Sequence, residues 1–476
     1  MYRLQAGPLL GAAFAALSAF ALRAFWIDHP VLWLDELFTL LYARNDVGYL
    51  LSLTRTSDIH PPFYYLLVKA VAALFGEGDG TQLRLISAAG SALSAGLVYL
   101  FAYRRFGLTV AVLASAFFVL LPINIHYGRE LRTYAVLSLA LLAATICFIE
   151  MTEPQRSSRG RRLLTVGYVL SLALCFHLHY SAAVYFLLFG AAALGLRLTE
   201  PDSRRLRHAM AATAAAGILC LPQAYHFVLA RNAVAGDFWI PPTDWSSFYS
   251  TTLGMYPFPA WGKAVVFAVY LAGAFVLWSR DRRFAVVSLT FIAGGPLVVA
   301  LIGILSPAYL VRTIQAYATL SPFLIAVALH SLPRRALLPA VVALEAIHLQ
   351  PIRASYPPQK QALAGDLIAP LLAETEPEAV FYFNRLSDHF DLRRIDRSAW
   401  TPVALEEGVA RDQIDARLDG CVGHGGCGPT VIIMEKSPIF QIEDGRAWMD
   451  WMDRISERHG AAGDEIIQGL RVIIVR

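Results

Sequence analysis

Eleven runs of about twenty mostly apolar residues punctuate the chain, near 7–27, 85–103, 108–125, 131–150, 163–180, 181–197, 208–228, 263–279, 284–305, 311–331 and 335–350. The hydrocarbon core of a bilayer is about 30 Å thick and needs a helix of about that length to cross it. Inside it every backbone N–H and C=O must find a partner within the protein, and a helix pairs its own. The runs therefore predict an α-helical polytopic membrane protein of about eleven spans. Composition agrees, since 57% of the 476 residues are hydrophobic and 16% are charged, outside the range of soluble multidomain chains. The net charge of +4 does not point to nucleic acid. The first run, Gly7 to Trp26 behind Met1-Tyr2-Arg3, is too long for a signal peptide and lacks a small-residue cleavage site, so it reads as a retained anchor.

Orientation turns on residues 61–75, PPFYYLLVKAVAALF, an apolar stretch that is short, carries Lys69 and is followed by the polar GEGDGTQLR. If this stretch lies along the membrane interface, the clusters Arg104-Arg105, Arg156 to Arg162, Arg204 to Arg207, Arg280 to Arg283 and Arg334-Arg335 share one side. Short cytoplasmic loops concentrate such residues, so that side is the cytoplasm. Residues 28–84 then form one extracytoplasmic loop, joined on that side by 126–130, a turn at His177 to Tyr180, 229–262 and 306–310. The loop 229–262 is rich in Trp, Tyr, Phe and Pro, including Trp239, Trp245 and Trp261, and reads either as an interfacial aromatic belt or as a cover for a prenyl chain.

Past residue 351 the chain becomes acidic, and helical patterns near 359–374, 404–418 and 445–458 alternate with strand-like AVFYFN (379–384), TVIIME (430–435) and RVIIVR (471–476). This predicts a small extracytoplasmic α/β domain over 351–476 behind a membrane domain over 1–350. Cys421 and Cys427 flank VGHGG. In an oxidising compartment a disulfide or two free thiols are favoured there, with His424 raising a metal option. Cys147, Cys175 and Cys220 lie in apolar runs and read as small hydrophobes.

Residues 28–65 hold the densest chemistry. Asp35 and Glu36 are adjacent at the start of an amphipathic stretch with Leu37, Leu40 and Leu41 on one helical face. Neighbouring helical side chains diverge by about 100°, so one carboxylate can address a reacting group while the other holds a second ligand or the loop. Transfer of a group to a hydroxyl or amine needs a base to take that nucleophile's proton. Asp35 suits that role, the alternative being a helix cap. His60 before Pro61 and Pro62 is a stiff lead-in to a helix, with contact to a phosphate or acceptor as a further role. In HYGRELRTY (126–134), Arg129 and Arg132 are placed to bind phosphate by charge-assisted hydrogen bonds, and Glu130 and Tyr134 fall at i, i+4. An ion pair tying two spans together is the competing reading. His179, Tyr180, Tyr309 and Arg312 complete the candidates, Tyr180, Tyr309 and His179 for substrate and Arg312 for a second phosphate contact or a snorkelling anchor. His177 reads as a core histidine.

WLDE (33–36), HPPFYYLL (60–67), QLRLISA (82–88), YRRFG (103–107) and GRELRTY (128–134), in that order and spacing, resemble the GT-C glycosyltransferases, in particular bacterial relatives of the protein O-mannosyltransferases and of the lipid A aminoarabinose transferases. The resemblance covers about residues 1–200. It implies a polyprenyl-phosphate sugar donor, inverting transfer to a lipid, envelope glycan or protein acceptor, an aspartate base that maps onto Asp35, and Glu36 with the arginines after the third span lining the cavity. Relatives of this kind commonly work without a metal, so no cofactor is expected and a divalent metal is not indicated, and the resemblance implies a bacterial inner membrane as the setting. A transporter or flippase of lipid-linked sugars is the competing class. It would place charges near the midplane of several spans, often within repeats, whereas here they collect at one end.

Overall fold

The computed structural model describes residues 6–30, 32–56, 58, 60–76, 80–154, 156–199, 203–234, 242–306, 309–355, 364–383, 401–403, 409–424, 428–435, 445–467 and 470–475. It divides into two compact units, Met1–Asp28 with Asn45–Pro358, and His29–Arg44 with Gln359–Arg476. Residues 29–44, which carry Asp35 and Glu36, thus group with the C-terminal residues.

In the first unit, ten helices among the described residues are long and apolar enough to cross a membrane. They coincide with ten of the eleven expected runs. The remaining run is split into Leu108–Leu120 and Pro122–Tyr127, because Leu121 is extended (ψ 118°) and Pro122 starts the next helix in the position where its missing N–H costs nothing. Phe63–Phe75 is a helix of 13 residues, about 20 Å long and too short to cross.

Two polar groupings mark the ends of this bundle. At one, the Arg105 guanidinium meets Asp281 and lies 3.3 Å from both Glu150 and Glu153. Arg156 pairs with Glu150, and Arg283 with Glu153 and the Thr152 carbonyl. Thr165 joins His208 nearby at 2.8 Å. At the other, Ser87 donates to the Arg132 carbonyl and Thr133 to the Leu178 carbonyl. The helix Tyr134–Thr152 runs from the second grouping to the first over 19 residues, about 28 Å. The arginines of 104–105, 156 and 283 therefore gather at one end of the bundle, as expected of a shared side.

Between the ends the helices pack closely. Phe101, Phe284 and Phe323 form a triad of edge-to-face rings 5.1–5.6 Å apart, a favoured arrangement of aromatic quadrupoles. Residues 311–330 are the most enclosed span. They open with Val311–Ile314, tighten to a 3-10 turn over Gln315–Leu320 and continue as Ser321–His330.

The C-terminal residues build a five-stranded sheet, β1 (Ala379–Phe383), β2 (Thr401–Val403), β3 (Thr430–Glu435), β4 (Gly463–Ile467) and β5 (Leu470–Val475), in the order β2-β1-β3-β5-β4. β1 pairs in parallel with β2 and β3, and β5 antiparallel with β3 and β4. Helices Ala364–Thr375, Val409–His424 and Gly445–Arg458 accompany it, and Ile368, Ile414, Leu418, Trp451, Met452 and Ile455 pack with Val431, Ile432, Ile433 and Val472 in one core. The three expected strands and three expected helices are present. The two edge strands were not expected: Pro402 sits in one, where a missing N–H is tolerated, and GDEII reads as half polar. Cys427 and the side chains of Cys421 and His424 lie outside the described residues.

Candidate active site

The expected site residues fall into several groups. In the C-terminal unit, Asp35 and Glu36 occupy the second and third positions of the helix Leu34–Arg44. Glu36 is fully buried, and its Oε2 accepts the Trp33 N–H at 3.2 Å. That is the reach-back half of a capping box, satisfying a donor that the helix leaves orphaned. Asp35 is half-buried, one position earlier on the turn, so the two carboxylates diverge and Glu36 is bound to the helix start.

In the membrane unit, the short stretch before Phe63–Phe75 is organised by a carboxylate that sequence reasoning did not single out. Asp58 Oδ1 accepts both the backbone N–H (3.1 Å) and the ring Nδ1 (2.7 Å) of His60, and Oδ2 accepts the Tyr65 hydroxyl at 2.5 Å. Burial alone would raise the Asp58 carboxyl, but the charge and hydrogen bonds of His60, the Tyr65 hydroxyl and the Arg132 charge outweigh it, leaving Asp58 below the ordinary carboxylate value. The other ring nitrogen, His60 Nε2, lies 3.2 Å from Arg132 Nη2. A guanidinium only donates, so Nε2 is the acceptor and Nδ1 carries the proton given to Asp58. The signal for Asp58 was an acid two residues before a histidine in DIHPP, with Tyr65 one helical turn further on.

His179 stands edge-on to His60, ring centroids 5.4 Å apart. The helix Ser158–Leu178 ends just before it, and its Nδ1 accepts the Ser181 N–H (3.1 Å) and sits 2.8 Å from the Ser181 hydroxyl, which puts its ring proton on Nε2. Burial, then the charges of His60, Arg132 and Arg312, hold His179 well below the ordinary histidine value. Tyr134 packs between Tyr127 and His179 (4.9 and 5.9 Å), with the Arg132 guanidinium 6.0 Å from its ring centre. His60, Arg132, Tyr134 and His179 thus meet at one place, with Asp58 hydrogen-bonded behind His60 and the charge of Arg312 felt at His179.

The remaining candidates lie elsewhere. Arg129 is turned to the end of the first span, where it donates to the carbonyls of Arg23 (3.1 Å), Phe25 (2.5 Å) and Trp26 (2.8 Å), and Arg84 donates to that of Ile27 (2.8 Å). Helix-end carbonyls in a low dielectric need such donors, and Trp26, at φ 51°, is where the chain leaves the helix. Glu130 lies 3.0 Å from His126 Nε2. It precedes the helix that starts at Tyr134, so the expected i, i+4 pairing on one helical face does not form. Tyr180 accepts from Gln223 at 2.6 Å, and Tyr309 stacks on Phe248 and meets Thr252 at 2.6 Å. Sequence reasoning also passed over Arg23, fully buried at the end of the first span and bonded to Ser91 Oγ (2.8 Å) and the Val119 carbonyl (3.0 Å). A charge inside an apolar run was its signal.

The depressed titration of His179 has a stability consequence. Below about pH 6.5 an unfolded histidine takes a proton that the native site refuses, so the unfolded chain binds more protons and stability falls with acid. The melting temperature in detergent will drop as pH falls from 7.5 to 5.5, and the drop will be shallower in His179→Gln. An equal slope in both proteins would assign the acid sensitivity to another group.

Residues 59–226 match the family model described as dolichyl-phosphate-mannose-protein mannosyltransferase. No curated protein matches the chain by sequence. Among solved structures it is similar to ArnT from Cupriavidus metallidurans in the apo state, with a TM-score of 0.64 and 16% identity over 98% of this chain and 97% of that one. The same protein bound to undecaprenyl phosphate gives 0.59 and 16%, over 99% and 98%. The Archaeoglobus fulgidus oligosaccharyltransferase AglB, in complex with an inhibitory peptide and a dolichol-phosphate, gives 0.54 and 13%, over 90% of this chain and 69% of that one.

Proposed function

We propose, from the premise that this is a multi-span membrane protein of the GT-C fold, that it moves a sugar from a polyprenyl-phosphate donor to a lipid, envelope glycan or protein acceptor, with inversion at the anomeric carbon. The observation that carries this reading is the contact of Arg132 with His60 beside His179, where the charge of Arg312 is also felt. Two guanidinium groups at a bundle end suit an oxyanion, a phosphate or a carboxylate. The solved relatives whose structures hold undecaprenyl phosphate or dolichol-phosphate support the lipid-linked form of that phosphate.

In this mechanism Arg132 and Arg312 bind the donor phosphate and stabilise the charge that grows on it as the sugar–oxygen bond breaks. Asp35, assigned on its place in WLDE and its half-buried position in the first turn of its helix, takes the acceptor's proton. His60, His179 and Tyr134 shape the site around the phosphate and sugar. The arginine-rich end of the bundle, read as cytoplasmic, supports a site on the opposite, extracytoplasmic side, where lipid-linked sugars would meet their acceptors.

The test uses purified full-length protein and a labelled polyprenyl-phosphate sugar. Arg132→Gln will weaken donor binding by about tenfold to a hundredfold, the loss of one hydrogen bond to a charged group. Binding that is unchanged in this variant, or a native protein that binds no polyprenyl phosphate, would sink the reading.

A further inference from the structure

We infer that the phosphate is bound together with one proton, taken up by His60 at Nε2 and balanced by Asp58. This rests on the phosphate site proposed above and adds a linkage that the fold alone does not require.

The argument follows from the direction of three hydrogen bonds. In the empty site His60 offers a lone pair, not a proton, to Arg132, because Nδ1–H is committed to Asp58. A phosphate oxygen is also an acceptor. When it draws the Arg132 guanidinium to itself, the free lone pair of His60 Nε2 is turned toward it, an arrangement that a proton between them relieves. A diester phosphate brings no proton, and a monoester above about pH 6 has mostly lost its second one. The proton therefore comes from solvent onto Nε2, which becomes a donor to the phosphate.

The surroundings favour that form once the anion has arrived. Asp58, held by Tyr65 and the His60 backbone, already touches Nδ1 and so stabilises an imidazolium. The opposing charge on His60 is Arg132, hydrogen-bonded to it, while burial and the charges of Arg132 and Arg312 disfavour a proton on the neighbouring His179. Both cations are directed at the bound phosphate when the site is filled. Asp58 is thus a positioning residue. It fixes the tautomer of His60 in the empty site and carries the counter-charge in the filled one. During sugar transfer the acceptor's proton goes to Asp35, the sugar–oxygen bond to phosphate breaks, and the phosphate leaves with a second negative charge. An imidazolium at His60 faces that added charge, so the released polyprenyl phosphate is held until the proton is given back.

Calorimetric titration of the full-length protein with a short-chain polyprenyl phosphate at pH 8, repeated in two buffers of different ionisation enthalpy, counts the protons. The native protein will take up about one per phosphate bound, and His60→Gln, whose amide still donates, will bind with an uptake near zero. Asp58→Asn keeps the shape of the loop but removes the counter-charge, so its uptake will fall below half while binding weakens by about tenfold. Tight native binding without proton uptake, or undiminished uptake in His60→Gln, would overturn the inference alone. Absence of native binding would overturn the phosphate site itself. Inorganic phosphate, as second titrant, will bind far more weakly, and equal affinity would remove the lipid from the assignment.

Discussion

Replacement of Asp35 by asparagine will lower sugar transfer by about a hundredfold to ten-thousandfold, the usual span for loss of a positioned general base, while leaving polyprenyl phosphate binding intact. The separation of the two effects is what makes the experiment decisive. Asparagine matches aspartate in shape and still suits the first turn of a helix, so the helix Leu34–Arg44 keeps its start, but the amide cannot accept a proton. Glu36 will behave differently. Its buried carboxylate accepts the Trp33 N–H, an acceptor role that the carbonyl oxygen of glutamine also fills, so Glu36→Gln will lose less activity than Asp35→Asn. The measurements are initial rates with a labelled lipid-linked donor and, in parallel, equilibrium binding of the phosphate lipid. A fully active Asp35→Asn protein would take the base assignment away from this residue.

The second large effect is structural. A methyl group added at Gly273 would stand 2.1 Å from the carbonyl oxygen of Leu324 and 2.6 Å from its carbonyl carbon, where the helix Ala260–Arg280 crosses Ser321–His330. The obstacle is backbone, so no side-chain rotation relieves it, and the two helices must separate along their length. Gly273→Ala will cost about 3 kcal/mol or more, the upper end of what overpacking does in tight interiors. It will show as a large fall in melting temperature in detergent and in yield of folded protein. Gly217→Ala is the control, since its nearest neighbour is a ring carbon of Phe186 at 3.9 Å and alanine is the better helix former. It will be neutral or slightly stabilising. Equal behaviour of the two variants would mean that the helices do not approach at Gly273.

The membrane architecture was legible in the sequence because hydropathy over about 20 residues is a strong, local signal, and the tail's main strands and helices because their β-branched runs alternate with helical ones. What escaped the sequence depended on which groups meet in space. Arg129 and Arg132 are three residues apart and chemically alike, yet one closes the carbonyl end of the first span and the other faces His60. No pattern in GRELRTY separates those tasks. Asp58 escaped because an acid near the tip of a loop is ordinarily a solvated residue; its role is visible only with Tyr65 and both nitrogens of His60 in place. The split at Leu121-Pro122 was foreshadowed by the proline itself, but an apolar run that continues past it hides the break.

The ring of charges around Arg105 bears on how traffic moves through the molecule. Three carboxylates, from Glu150, Glu153 and Asp281, converge on one guanidinium, with Arg156 and Arg283 bracing the same acids. Drawing those helix ends apart would strand half-desolvated acids without their cation, a penalty of about 3–5 kcal/mol for a single broken buried pair. A carrier that opens alternately to both faces must undo such a latch on every cycle. A bundle end bolted in this way fits the catalyst proposed above, which would collect and discharge its cargo from a single side of the bilayer.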